Sequence, residues 1–474
     1  MGAGVSTWRL ANAVSSAGHL GVVSGTGIDT ILARRLQVGD PGGHMRRALA
    51  NFPYPEIAER LLERYFIEGG KADDAPFKSN PVPTLEPGPH CLELMVAANF
   101  VEVFLAKEGH DAPVGINFLE KIQLPNVPSI FGAMLAGVDY VLMGAGIPRH
   151  IPGVLDKFAA GQAAELPIAV LDDASGATMR FDPRQICGDD VPELSRPRFL
   201  AIVASVTLAS VLKRKATGRV DGFIVEGPTA GGHNAPPRGL LQLCEKGEPI
   251  YGARDYADAA GFRDLGLPFW LAGSYGSAEG LQKARDEGAT GIQLGTAFAF
   301  CDESGIAPDL KRQVIRMVLE NRARVITDPV ASPTGFPFKV LDKKGTMKDP
   351  EVYAARKRIC DLGYLRHAYP KPDGTLGWRC PSEPEKDYER KGGELADTKS
   401  RICVCNGLMA TIGLGQVRRD GSREAPLVTS GDALPGIRRY VRDGAESYRA
   451  QDVLDSLLSI PARDAHVDSS IRTV

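Results

Sequence analysis

The 474-residue sequence holds no uninterrupted apolar run of about 20 residues, the length that crosses a hydrocarbon core. A membrane span is therefore not expected. Its opening residues, MGAGVSTWRL, lack the charged start and long apolar stretch of a secretory signal. Net charge is −2, so no overall field draws the chain to nucleic acid or to an anionic surface. Lys and Arg are not interleaved with aromatics into a nucleic-acid surface. Eight cysteines are too few for the disulfide framework of a secreted protein, and the expectation is a cytoplasmic one. Three catalytic signatures are missing: GxxxxGK[ST], HExxH and GxSxG. Gly25-Thr-Gly27 falls short of GxGxxG, which argues against a dinucleotide-binding domain.

What is present is glycine (53) and proline (34), in numbers that suit many tight loops between short elements. From about residue 110 to 300, short β-branched runs alternate with helical stretches, the mark of a parallel sheet or barrel. The expected strands are Leu20–Ser24, Val114–Phe118, Tyr140–Met143, Phe199–Val203, Gly222–Val225, Phe269–Ala272 and Gly291–Leu294. The segment from Pro167 to Ile186 reads instead as an inserted hairpin turning at Ser175-Gly176. Residues 26–110 carry apolar spacing near 3.6, a helical insertion with an extended, proline-marked link. The expected architecture is thus an α/β TIM-type (β/α)8 barrel over residues 1–325, with residues 326–474 appended and ending in a short helix and a polar tail. Seven strands are counted where a closed barrel needs eight. Either the natural start lies upstream of Met1 or another segment fills the gap.

In such a barrel the loops after the strands converge on one face. Leu271-Ala272-Gly273-Ser274-Tyr-Gly-Ser277 follows one expected strand and opens a helix, and Gly291-Ile-Gln293-Leu-Gly295-Thr296 repeats the pattern one strand later. Glycines there let backbone N–H groups approach an anion at a helix start, and two adjacent loops of this kind point to a phosphate site. Upstream, Val225-Glu226-Gly-Pro-Thr-Ala-Gly231-Gly232-His233 runs from a strand into paired glycines and an imidazole. The glycines admit a flat ligand, and a histidine there can exchange a proton near neutrality. Arg238, five residues on, either clamps an anionic substrate or holds its loop. Cys360, Cys380, Cys403 and Cys405 gather in the appended region without a CxxC pair; reduced structural thiols are the reading preferred over zinc or an iron–sulfur cluster.

The stretches AVSSAGHLGVVSG, VGINF, the loop ending AGGH, LAGS and GIQLGTAF occur in this order. Together they resemble the nitronate monooxygenase (2-nitropropane dioxygenase-like) family, which includes FMN-dependent enoyl-ACP reductases and the enoyl reductase of polyunsaturated fatty acid synthases. The resemblance covers roughly residues 2–300. It implies a TIM barrel with FMN on the strands' C-terminal face, its phosphate on Gly273, Ser274, Gly295 and Thr296, flanked by Ala272 and Gln293. Asn117 would lie beside the ring, Gly231 and Gly232 near it, and the loop carrying Gly2, Ala3 and Gly4 over its other edge. His233 would be the acid–base residue. Glu226 stands where nitronate monooxygenases often carry Gln, closer to the polyunsaturated-synthase branch. The resemblance implies nitronate oxidation with dioxygen first, with enoyl-thioester reduction by NAD(P)H as the alternative. A non-catalytic FMN- or phosphate-binding subunit of a larger complex, and a barrel acting on a sugar phosphate, are further readings. The expected partner is a small molecule, with neither nucleic acid nor membrane, and with a homo-oligomer or multi-enzyme complex left open.

Overall fold

The computed structural model describes residues 2–459. Its strands are β1 (Gly21–Ser24), β2 (Val114–Leu119), β3 (Tyr140–Gly144), β4 (Ala164–Val170), β5 (Asp173–Phe181), β6 (Arg198–Val203) and β7 (Gly222–Glu226). There follow β8 (Phe269–Ala272), β9 (Gly291–Gln293), β10 (Val325–Asp328), β11 (Phe338–Leu341), β12 (His367–Pro370) and β13 (Leu376–Arg379). One parallel sheet runs β1-β2-β3-β6-β7-β8-β9. These are the seven strands expected from the sequence, each within one residue at either end.

Alternation along each strand separates two environments. Leu142, Leu200, Ile224 and Trp270 pack together on the inner face, while Ile116, Phe118, Val141, Phe199 and Phe223 pack outward against the helices. The helical insertion belongs to this outer core. Its helix Pro55–Tyr65 starts on a proline and buries Ile57, Ala58, Leu61 and Tyr65, one face at helical spacing. Helix Pro89–Lys107 is apolar around its whole circumference. By length and composition it is long and apolar enough to cross a membrane, yet most of it is buried inside the fold. Such a helix is what a fully enclosed core position demands.

β1 and β9 do not pair, and no eighth strand joins the sheet among the described residues. Helix Ala450–Leu458 touches both the helix before β1 (Trp8–Ser16) and the helix before β9 (Ala278–Asp286), and so spans the open side. Its Leu454 and Leu457 and the first helix's Leu10 and Val14 present their side chains to the interior there. Two helices thus supply the apolar wall where a strand was expected.

The hairpin between β3 and β6 is present, but it does not turn where the sequence suggested. β4 and β5 meet through Val170 opposite Asp173, so the turn is Leu171-Asp172, with Asp172 at φ 58°. Gly176 lies inside β5, at φ 67°, where the register slips between Ile168 and Val170. The glycine serves a bulge rather than a turn, since both need positive φ and the sequence does not separate them.

The region after residue 325 is woven into the molecule. β10 and β11 pair antiparallel, and β12 joins β4, giving a second sheet β13-β12-β4-β5. Phe338, Val340, Tyr364, Val404, Met409 and Leu427 form a core that also takes in Ala3, Ile31 and Ile122. This core sits over the C-terminal ends of the parallel strands, the face where such folds place their chemistry.

Candidate functional site

A cavity of about 490 Å³ opens at that face and continues into the sheet interior, with a second of about 110 Å³ beside it. The larger lies in the size range of cofactor sites. It brings together both glycine loops expected from the sequence: Ala272, Gly273, Ser274, Gln293, Gly295 and Thr296 all line it. Gly273 at φ 102° and Ser274 at φ 64° hold left-handed backbone in succession. A Cβ on Gly273 would stand 2.8 Å from Thr229 Oγ1 and 3.2 Å from the amide nitrogen of Ala230. The loop therefore takes this path only with glycine there. Ser277 caps the following helix, its Oγ accepting the Gly280 N–H at 3.1 Å. Gly295 faces open space, so nothing crowds the second loop.

Glu226, Gly2, Gly231, Gly232 and Gln293 line both cavities, whereas Asn117, Ala3 and His233 line the smaller. Asn117 and Glu226 get there by strand periodicity. Asn117 lies level with Leu142, and Glu226 is two residues past Ile224, both on the inner face. Gly4, at φ 64°, packs tightly: a Cβ there would lie 2.5 Å from Ile412 Cδ1. It holds the N-terminal loop in place, and neither cavity is lined by it.

The two titratable groups are pushed apart in function by burial. Desolvation raises the Glu226 carboxyl to about 7 and lowers the His233 imidazole to about 3. At neutral pH His233 is a free base, while Glu226 holds its proton to higher pH than an ordinary carboxyl. His233 Nε2 lies 2.7 Å from Ser332 Oγ, which also meets Thr334 Oγ1 at 2.9 Å and accepts the Thr334 N–H at 3.2 Å. The ring packs on Phe338, 4.6 Å between centroids, and Lys339 donates its N–H to the Gly232 carbonyl at 2.9 Å. The imidazole is oriented by the appended region, which the sequence alone did not connect to it.

Arg238 stands apart. It is exposed, its N–H donates to Asp255 Oδ1 at 2.8 Å and its Nη2 to the Ala204 carbonyl at 3.3 Å. It borders a small separate pocket shared with Glu226 and lines neither main cavity.

Sequence reasoning missed the segment from Thr429 to Tyr440, which closes the larger cavity. Gly431 N–H donates to Thr296 Oγ1 at 2.9 Å, and Asp432 N–H to the Thr229 carbonyl at 3.0 Å. Gly231 and Gly431 meet backbone to backbone, since a Cβ on Gly231 would fall 2.8 Å from the Gly431 nitrogen. Arg439 lines the cavity and brings the positive charge that the two glycine loops lack, and its Nη1 reaches the Gly276 carbonyl at 3.3 Å. Ser430 Oγ is buried in the lining without a hydrogen-bond partner. The only local cue was the Ser-Gly-Asp turn at 430–432, which many surface loops share.

A family model described as nitronate monooxygenase matches residues 187–349, the stretch holding the His233 loop, both phosphate-type loops and β11. Over that stretch the chain is similar to the nitronate monooxygenase family. Over 344 residues it is 27% identical to the (3aS,4S,5R,7aS)-5-hydroxy-7a-methyl-1-oxo-octahydro-1H-indene-4-carboxyl-CoA dehydrogenase of Mycobacterium tuberculosis, covering 66% of this chain and 88% of that one. It is 32% identical over 127 residues to a probable nitronate monooxygenase of Bacillus subtilis, covering 27% of this chain and 35% of the relative. A nitronate monooxygenase of Paraburkholderia phytofirmans is 22% identical over 245 residues, half of this chain and 61% of the relative.

Proposed function

We propose that this chain is an FMN-dependent oxidoreductase that removes an acidic C–H proton with His233 and acts on nitronates or nitroalkanes with dioxygen. The observation that carries it is an imidazole in a small cavity that shares Gly2, Glu226, Gly231, Gly232 and Gln293 with a larger one, where two glycine loops and an unpartnered hydroxyl lie. Those residues fit FMN. The N–H groups of the Gly273-Ser274 and Gly295-Thr296 loops, the Ser430 hydroxyl and Arg439 would hold its phosphate, and Gly231, Gly232 and Gly2 leave room for a flat ring. When bound, FMN supplies a two-electron acceptor.

The remaining chemistry belongs to the chain. His233 stands as neutral imidazole throughout the neutral range, available as a base although burial makes it a weaker one than in water. Ser332 keeps the ring from turning, because its Oγ engages Nε2. Glu226, whose carboxyl is raised by burial, can in its protonated form donate a hydrogen bond into the cavity instead of placing a negative charge there. The core above the strands excludes bulk water from these groups. We place this activity in the cytoplasm.

A second reading is reduction or oxidation next to the carbonyl of an acyl thioester, with NAD(P)H as donor in the reductive direction. The apolar wall of Leu142, Leu200, Ile224 and Trp270 beneath the loops favours it, as does the carboxyl-CoA named for the Mycobacterium tuberculosis relative. The deciding experiment is the visible spectrum of the purified protein under anaerobic conditions. Flavin bands bleached by a nitronate support the first reading, and bleaching by NADH or NADPH moves the assignment to the thioester. Absence of flavin after reconstitution with FMN overturns both.

A further inference from the structure

Cys360, Cys380, Cys403 and Cys405, dispersed over 46 residues of sequence, line one small void in the fold above the parallel strands. All four are free thiols. They arrive from three places: the loop before β12, the end of β13 and the start of helix Val404–Thr411. Burial raises all four thiols, and the amides of Gly363, Leu365, Ser382 and Asn406, beside Cys360, Cys405, Cys380 and Cys403 respectively, act in the opposite direction. Without a cation the four therefore stand as thiols, and a bound metal ion is what would draw them into the thiolate form.

Two guanidiniums face the same group. Arg356 lies beside Cys403, and Arg366 beside Cys360, Cys380 and Cys405. Arg356 is paired with Glu424 at 2.9 Å. Arg366 forms no ion pair among the described residues and donates only to the carbonyls of Gly363 and Pro83. Glu383, itself paired with Lys391 at 2.7 Å, also acts on Arg366, and thiolates would add to that negative charge. No three ligating side chains stand in metal-binding geometry among the described residues, and the four cysteines line a small void.

We propose that these four cysteines form a thiophilic metal site, a zinc ion or an iron–sulfur cluster held by four thiolates. On binding, four S–H protons leave to solvent, four metal–sulfur bonds form, and the anionic centre lies against Arg356 and Arg366. Cys405 also borders the smaller cavity that holds Asn117 and His233, so the centre would brace the upper wall of the candidate site. The site stands on the thiols and their surroundings and does not depend on the flavin reading.

The test is metal and acid-labile sulfide analysis of the full-length protein, purified anaerobically and measured before and after removal of any flavin. About one zinc without sulfide, or about four iron with matching sulfide, supports the site and tells the two centres apart. Cys380→Ser and Cys403→Ser should lose the metal, while Cys244→Ser, at an exposed position, should keep it. If the cluster variants do not fold, cobalt titration of the metal-stripped wild type decides, through the intense sulfur-to-cobalt absorption of a tetrathiolate. Folded wild type that retains no metal and takes up no cobalt overturns the proposal, as does metal that persists in the cluster variants.

Discussion

At pH 5 an imidazole of ordinary acidity, near 6.5, is only about 3% neutral, so a reaction needing its free base would run roughly thirtyfold below its plateau. With His233 held to about 3 by burial, almost all of it remains neutral at pH 5 and that loss should not occur. Glu226 titrates near 7 in the same cavity and would superimpose its own step, so the measurement belongs in both wild type and Glu226→Gln. In Glu226→Gln, kcat for a nitronate at saturation should stay within about twofold from pH 8 down to pH 5, whereas wild type should show a single step near neutrality. Histidine NMR supplies a readout independent of turnover: the resonance missing in His233→Asn should not shift between pH 8 and 5. The linkage sign follows. A lowered imidazole favours folding above the unfolded value of about 6.5, and that contribution is lost progressively as pH falls toward 3, at up to about 1.4 kcal/mol per pH unit. The raised Glu226 carboxyl acts oppositely, with its contribution present below about 4.5 and lost as pH rises through 7. An acid limb near 6.5 that persists in Glu226→Gln and disappears in His233→Asn would refute the claim that His233 is enclosed and neutral.

Gly273→Ala should lower retained FMN severalfold with little loss of fold, because its Cβ would press on Thr229 and Ala230 at a left-handed position; flavin-to-protein absorbance ratios check this. Asp432→Ala strands the Lys339 ammonium, 3% exposed, which it meets at 2.7 Å. Since Asp432 is itself 44% exposed and Thr327 still accepts from Lys339, about 1–3 kcal/mol should be lost in urea unfolding, with partial recovery in Lys339→Met/Asp432→Ala. Glu424→Gln removes the carboxylate shared by Arg356 and Arg418, 3% exposed, and should cost about 3–5 kcal/mol by the same assay. An effect below about 1 kcal/mol there would show that the pair is more hydrated than its burial indicates.

The seven strands and their glycine loops were legible in the sequence because each is a local pattern. A β-branched run, a glycine and a capped helix occupy consecutive residues, and period-two alternation places Asn117 and Glu226 on one face without knowledge of any distant contact. The hairpin was legible as an element but not in its turn, since Leu171-Asp172 carries no glycine while the bulge at Gly176 does. Other features depended on residues far apart in the chain. Ser332 beside His233, Ser430 and Arg439 in the cavity wall, the helix 450–458 spanning the open side of the sheet, and the meeting of four cysteines all arise from how the region after residue 325 folds back. Local propensity says nothing about which strand such a segment will find. Only the tertiary structure decides it, because burial of β12 against β4 and of the shared apolar core is what selects that arrangement. The protonation of Glu226 and His233 follows from the same packing, since desolvation is a property of the enclosed site and not of either residue.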